Sequence, residues 1–267
     1  MKPTWKGSIS FGLVNIPIVL FPATEDKDVH FNLLHKEDEG RVQNQRICSV
    51  CNKVVPYSDI VKGYEYKKGE YVVMTEEDFK KVSTPSNDTI AIEDFVDPAD
   101  IDPIYYETPY FITPDKKSGT AYNLLHKALL ESGRVGIAKV AFRTKERLAA
   151  LVASPDGLRL YTMHFADEIR QADALPKAPE VGDREMKMAQ MLIESMTTKF
   201  DPDQYRDTYG DAMLNVINDK RAGKEPAEKP AHAEPTGVVD LMEILKASIE
   251  KSQAQAKRGD GEDKKAA

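Results

Sequence analysis

An α+β chain, with a mainly antiparallel β-sheet or barrel as its core and helices appended after it, is what three observations predict. Short apolar segments with period-two alternation recur between turn residues up to about residue 170, one helix-periodic segment interrupts them, and helical stripes alone follow. A length of 267 residues admits one large domain, or a core domain with an appendage, and buries a sizeable core. With 41% hydrophobic and 30% charged residues the chain reads as a soluble globular protein rather than a collagen, a membrane bundle or a disordered chain.

Trp5, Gly7, Ile9 and Phe11 alternate with Thr4, Lys6, Ser8 and Ser10, which predicts a first strand. Lys2 and Lys6 precede an apolar run from Phe11 to Phe21, as in a signal peptide, but Asn15 and Pro17 interrupt it and favour a strand. Glu70 to Met74 is a short apolar strand, and Thr75 with Asp78 forms a capping-box start for a brief helix. Ile90 and Ile92 alternate with polar neighbours, while Ile104 to Thr113 is broken by Pro109, which suits an edge or a bend. Ser118 or Thr120 can cap the single helix of this region. Its apolar face is Tyr122, Leu125 and Leu129, and Gly133 ends it. Ile137 to Phe142 and Arg147 to Ala153 then flank the polar turn 143–146, and Asp156-Gly157 makes a hairpin into Leu158 to Phe165.

Two helices follow. Met186, Ala189, Ile193, Met196 and Phe200 form one stripe, broken by Asp201-Pro202; Tyr205, Tyr209, Met213 and Val216 form another that stops near Gly223. Such stripes are usually core, although methionines also suit a partner surface. From Asn218 to Thr236 the chain is rich in Lys, Glu, Ala and Pro and reads as an extended linker. Val238, Leu241, Leu245 and Ile249 then define a short amphipathic helix, which cannot bury its stripe alone and is expected to dock on a partner or back on its own core. The implied organisation is a core over 1–180, a helical extension over 181–218, a linker over 219–236 and a helix with a frayed tail over 237–267.

The net charge of -7 hides a partition. From Glu76 to Glu107 ten acidic residues face two lysines, whereas from Lys116 to Arg159 nine basic residues face three acidic ones. An acidic protein that concentrates cations in one stretch can bind a polyanion there, and ordinary surface charge is the bland alternative. The turn Arg143-Thr144-Lys145-Glu146-Arg147 is the sharper signal, because a two-stranded ribbon carrying three long cations can follow a nucleic-acid groove or backbone.

Phosphate-cradling loops, dinucleotide fingerprints, nucleophile elbows and zinc-protease helices have no match, and the five histidines form no cluster, which weakens an enzyme reading. Two cysteines cannot build a disulfide framework, so a reducing cytosol is expected, and no segment reaches the ~18 apolar residues of a membrane span. Cys48-Ser49-Val50-Cys51 has metal-ligand spacing. Structural zinc normally needs four ligands, so His30 or His35, or a second subunit, would have to complete it; a pair of ordinary thiols is the alternative.

The opening Trp5-Lys6-Gly7-Ser8-Ile9-Ser10-Phe11-Gly12-Leu13-Val14-Asn15-Ile16-Pro17 resembles the start of the bacterial Ku proteins, which bind DNA ends in non-homologous end joining. The resemblance continues in order through His35-Lys36-Glu37-Asp38, Cys48-x-x-Cys51, Gly63-Tyr64-Glu65-Tyr66, Tyr110-Phe111, Arg143-x-Lys145-x-x-Leu148-Ala149, Asp167-Glu168-Ile169-Arg170 and Phe200-x-x-x-x-Tyr205-x-Asp207-x-Tyr209. It covers about residues 4–220, and Val239-Asp240-Leu241-Met242 is similar to the family's ligase-engaging segment. The family implies a β-barrel with a helical extension and a homodimer whose arms make a ring threaded by duplex DNA. Arg143, Lys145 and Arg147 fall where the family places ring-lining cations, and Lys6, Arg46 and Lys127 are further candidates. One departure is the tail: many relatives end in a lysine-rich tail, whereas residues 219–267 carry ten basic and ten acidic residues, which puts tail-mediated DNA binding in doubt.

The function so implied is sequence-independent binding of double-stranded DNA ends in double-strand-break repair, with recruitment of an ATP-dependent ligase of the DNA ligase D type through Val238, Leu241, Leu245 and Ile249. No catalytic residue and no cofactor are required, and a bacterial cytoplasm, at the nucleoid, is the expected location. The rivals are a lysine-based lyase acting on abasic DNA ends and a zinc-dependent protein-interaction module.

Overall fold

The computed structural model describes residues 1–82, 88–115, 118–142, 145–172, 176 and 179–225. It divides into two compact units, the first 1–27 with 31–172 and the second 28–30 with 173–267.

The first unit is a closed seven-stranded barrel with a separate hairpin and two helices. Its strands are β1 (Trp5–Phe11), β2 (Val14–Pro22), β5 (Thr89–Val96), β6 (Tyr106–Pro114), β7 (Val135–Phe142), β8 (Lys145–Ser154) and β9 (Gly157–Met163), in the order β1-β2-β6-β9-β8-β7-β5. The hairpin is β3 (Lys62–Lys67) with β4 (Glu70–Met74), and the helices are α1 (Glu76–Lys81) and α2 (Gly119–Ser132).

Period-two alternation explains the barrel core. Ile9 stands opposite Ile16 on one side and Ile90 on the other, Ile90 opposite Val140, Leu20 opposite Ile112, and Leu151 opposite Leu160. All of them are buried, so one ring of aliphatic side chains fills the interior. Each such side chain contributes roughly 1.5–3 kcal/mol by burial.

The barrel is mixed. β1 and β5 close it as a parallel pair, whereas every other neighbouring pair is antiparallel. Gly7 permits the closure: a Cβ there would lie 2.3 Å from the Asp88 carbonyl oxygen, whose neighbouring contact is the Ser8 amide at 2.8 Å.

Four local expectations change in three dimensions. Pro109 lies on an interior strand, and β6 absorbs it with a register shift between Tyr106 and Pro109 against β9. The turn before β9 is Pro155-Asp156, because Ser154 pairs with Gly157, which opens the strand. Ser118 occupies the N-cap of α2, yet its hydroxyl donates to Pro17 O at 2.6 Å and Asp115 O at 2.9 Å instead of accepting from the helix. The stripe through Phe200 outruns its helix, which ends at Met196.

α2 sends Tyr122, Leu125 and Leu129 into the barrel core. The Tyr122 hydroxyl donates to Ile112 O at 2.9 Å and accepts from Leu158 N–H at 3.0 Å, joining β6, β9 and the helix. Burial leads the shift that pushes its phenol above the usual range. Tyr122→Phe therefore strands a buried amide and a carbonyl, and about 1–3 kcal/mol of stability should be lost. Thermal unfolding should drop by roughly 2–12 °C; an unchanged melting temperature would mean the two strand groups find other partners.

The second unit holds α3 (Asp183–Met196) and α4 (Thr208–Arg221). Asp207 caps α4 by accepting from the Tyr209 and Gly210 amides, and Tyr205 precedes the helix, stacked on Phe200 at 5.7 Å. α4 runs to Arg221, past the expected start of the linker at 219. Neither helix has a buried residue: Ile193, Met196 and Tyr209 are each about two-thirds exposed, at 67%, 63% and 65%. Met186, Ile193 and Met196 on α3 and Tyr209 on α4 are thus exposed, whereas Ala189, Met213 and Val216 of the same stripes are half-buried. No helix among the described residues is long and apolar enough to cross a membrane.

Candidate nucleic-acid interface

β8 begins with the cations singled out in the sequence. Lys145 Nζ reaches Glu168 Oε1 at 2.9 Å, and the Arg147 guanidinium pairs with Glu107 on β6. Arg143 lies outside the described residues, as do Val238, Leu241, Leu245 and Ile249. Antiparallel pairing of β8 with β9 and of β6 with β9 brings these groups to one part of the barrel wall.

The carboxylates are held in place. Glu107 also accepts the Thr162 hydroxyl at 3.0 Å, and Glu168 accepts the Phe165 amide at 3.0 Å. Burial pushes the Glu107 carboxyl up, but the Thr162 hydroxyl and the Arg147 guanidinium outweigh it and leave the group below its ordinary value. The Phe165 amide, followed by the Lys145 ammonium, lowers Glu168 in the same direction. Both are therefore anionic near neutral pH, opposite the two cations.

The charge partition along the chain has a structural meaning that composition alone does not supply. Because β5 and β7 are antiparallel neighbours, Lys139 meets Glu93 at 3.0 Å and Arg134 meets Asp97 at 3.0 Å. With Arg147 and Glu107, these pairs join the basic stretch to the acidic one. Arg159 bonds Asp156 at 2.9 Å and lies over the Phe111 ring. Among the described residues of the stretch, Arg134, Lys139, Lys145, Arg147 and Arg159 face carboxylates, so what is described of it is a mixed-charge surface rather than a uniform cationic one.

The other candidates sit on separate elements of the same unit. Lys6 is exposed on β1, Lys127 is exposed on α2, and the Arg46 guanidinium lies 5.2 Å from the centroid of the Tyr57 ring. Sequence reasoning missed Glu107, Glu168 and Thr162 as partners of the β8 cations; the acidic excess of 76–107 was the available signal for Glu107.

Cys48 and Cys51 lie in a tight turn, and among the described residues no group of three or more metal-ligating side chains converges. The amides of Cys51 and Val50, then the Cys51 thiol, hydrogen-bond the Cys48 sulfur and lower its pKa.

Comparison with known proteins gives a consistent picture. The family model described as Ku70/Ku80 beta-barrel domain matches residues 10–188. Among curated proteins, the Non-homologous end joining protein Ku of Bacillus subtilis (strain 168) is 43% identical over 95% of this chain and 83% of its own length. The protein of the same name from Opitutus terrae is 41% identical over 97% of this chain and 95% of its own, and that of Archaeoglobus fulgidus 42% identical over 94% and 99%. Among solved structures, the SPOC domain of human PHD-finger protein 3 aligns with 61% of this chain and 95% of its own at 14% identity and a TM-score of 0.29, too distant to inform the fold or the site.

Proposed function

The chain belongs to the Ku family, and on that premise we propose that it binds double-stranded DNA ends in non-homologous end joining, acts as a homodimer and recruits an ATP-dependent ligase of the DNA ligase D type. What carries the reading is the extent of the match: relatives named for end joining align with more than nine-tenths of this chain.

The chemistry follows from polyanion binding. Phosphate contacts supply affinity without reading base edges, so binding is sequence-independent, and a ring closed by two protomers admits duplex only from an end. The exposed Met186, Ile193 and Met196 on α3 support the dimer, since apolar side chains left in water on one helix face suit an association site. Lys145 and Arg147 support the phosphate contact. A pair about a third exposed on each side, such as Arg147 with Glu107, contributes about 0–1 kcal/mol and exchanges readily for a phosphate.

The deciding experiment compares a linear duplex with a covalently closed circle of the same sequence. The linear form should bind much more tightly, with log affinity falling by about 0.9 per neutralised phosphate against log salt. Equal binding to both forms would refute end loading.

Glu107 competes with DNA for Arg147. Glu107→Gln keeps an acceptor for the Thr162 hydroxyl while removing the charge, so end affinity should rise about 2- to 5-fold, the factor that a pair of up to ~1 kcal/mol represents. Weaker or unchanged binding would remove Arg147 from the DNA contact.

A further inference from the structure

The turn that carries the only two cysteines of the chain is ordered without a core. Ile47 and Val54 form an isolated antiparallel bridge, Cys48 N–H donates to Lys53 O at 2.9 Å, Asn52 N–H donates to Cys48 O at 2.9 Å, and Val55 N–H donates to Arg46 O at 2.8 Å. Asn52 takes the left-handed conformation, φ 54°, that turns the chain back after Cys51. The Asn52 N–H to Cys48 O bond closes one turn around Cys48 and Cys51, which places the two cysteines at its start and end. No residue from 31 to 61 is buried, and Ile47, Val50 and Val54 are 59%, 90% and 58% exposed around the two thiols. Apolar packing therefore does not hold this turn. Charge adds an independent constraint: from Arg41 to Ser58 an otherwise acidic chain has no acidic residue but carries Arg41, Arg46 and Lys53.

We propose that Cys48 and Cys51 are one half of a tetrathiolate zinc site, completed by the same pair of a second copy of this chain. Zinc at a structural site takes four tetrahedral ligands, and two thiols at x-x spacing supply one edge of that tetrahedron. The chain has no further cysteine, and no third metal-ligating side chain joins the pair among the described residues, so a second chain supplies the other edge. Four S–H bonds give up their protons to solvent and four S–Zn bonds of about 2.3 Å replace them, leaving a complex of charge -2. The three cations of each copy offset that charge, and the exposed Ile47, Val50 and Val54 side chains cover one another across the junction. Soft thiolates without neighbouring carboxylates select zinc over magnesium or calcium. The inference rests on the self-association proposed above and not on DNA binding.

Elemental analysis of full-length protein, purified without chelator, tests it together with sedimentation. A dimer or higher species should carry about 0.5 zinc per chain, and cobalt in its place should show thiolate-to-cobalt charge transfer with tetrahedral d–d bands. Cys48→Ser and Cys51→Ser should each reduce bound zinc at least about 10-fold, while the barrel melts as before because both side chains lie outside the core. One zinc per chain, zinc retained by the double serine variant, or zinc-free protein with both thiols reactive would overturn the site. So would a mass two hydrogens lower, which marks a Cys48–Cys51 disulfide. A zinc-free dimer that binds DNA ends refutes this site alone, whereas a monomer refutes the dimer as well.

Discussion

Replacing Ile193 and Met196 together with Asp should convert the protein from a dimer to a monomer and lower its affinity for duplex ends on the order of 10²- to 10⁴-fold. Both side chains stand on the exposed stripe of α3, so in the single chain they contribute little to folding, and Asp there meets water. In a dimer the same positions are desolvated, and four buried carboxylates cannot be accommodated without partners. In the proposed ring, loss of the second protomer would remove half of the phosphate contacts and the closure that keeps duplex from leaving sideways. Sedimentation velocity in the presence of a chelator, which opens the zinc bridge proposed above, reads the first effect, and competition with linear duplex at fixed salt reads the second. A persistent dimer would place the interface elsewhere. A monomer with undiminished end affinity would show that encirclement is not what retains DNA.

Removing residues 226–267 should leave dimerisation and end binding nearly unchanged and abolish stimulation of the partner ligase. The cut is placed after Glu225 because α4 continues to Arg221, and a deletion from 219 would remove the end of that helix. The segment removed contains Val238, Leu241, Leu245 and Ile249 at spacings of 3, 4 and 4, preceded by Pro226, Pro230 and Pro235. An amphipathic helix in a groove depends on a few apolar anchors, so Leu241→Ala with Leu245→Ala should reproduce most of the loss. The measurement is end joining by the cognate ligase, with full-length and shortened protein at matched DNA occupancy. Equal joining would place ligase docking on the remaining chain.

Local pattern carried most of the barrel and little of the interface. Ile9, Ile16, Ile18 and Leu20 alternate with outward residues, and that alternation alone puts them inside. The parallel partner of β1 is not written locally, because Ile9 meets Ile90 only after the whole strand order is set. Pro109 looked like an edge marker since a proline cannot donate to a ladder, yet a register shift lets an interior strand carry it. Phe200 and Tyr205 match a helical period but stack on each other between helices, because periodicity does not register where a helix stops. For the β8 cations, chemistry was legible and environment was not: Glu107 and Glu168 are 40 and 23 residues away from Arg147 and Lys145 and meet them only through strand pairing.

The parallel closure of β1 onto β5 sets a schedule for synthesis on the ribosome. β1 and β2 pair at once through a two-residue turn, but the free side of β1 waits for Thr89–Val96 and that of β2 for Tyr106–Pro114. The barrel cannot seal until Met163, the end of β9, has left the exit tunnel, about 140 residues after β2 ends. At ~5–20 residues per second the free edge of β1 waits roughly 4–15 s for β5, and that of β2, which carries Val14, Ile16, Ile18 and Val19, waits roughly 5–18 s for β6, while the barrel stays open for roughly 7–28 s. Nascent chains of this protein are therefore most exposed to misassembly and to chaperones over that window, and slower translation past Met163 should matter less than slower translation before it.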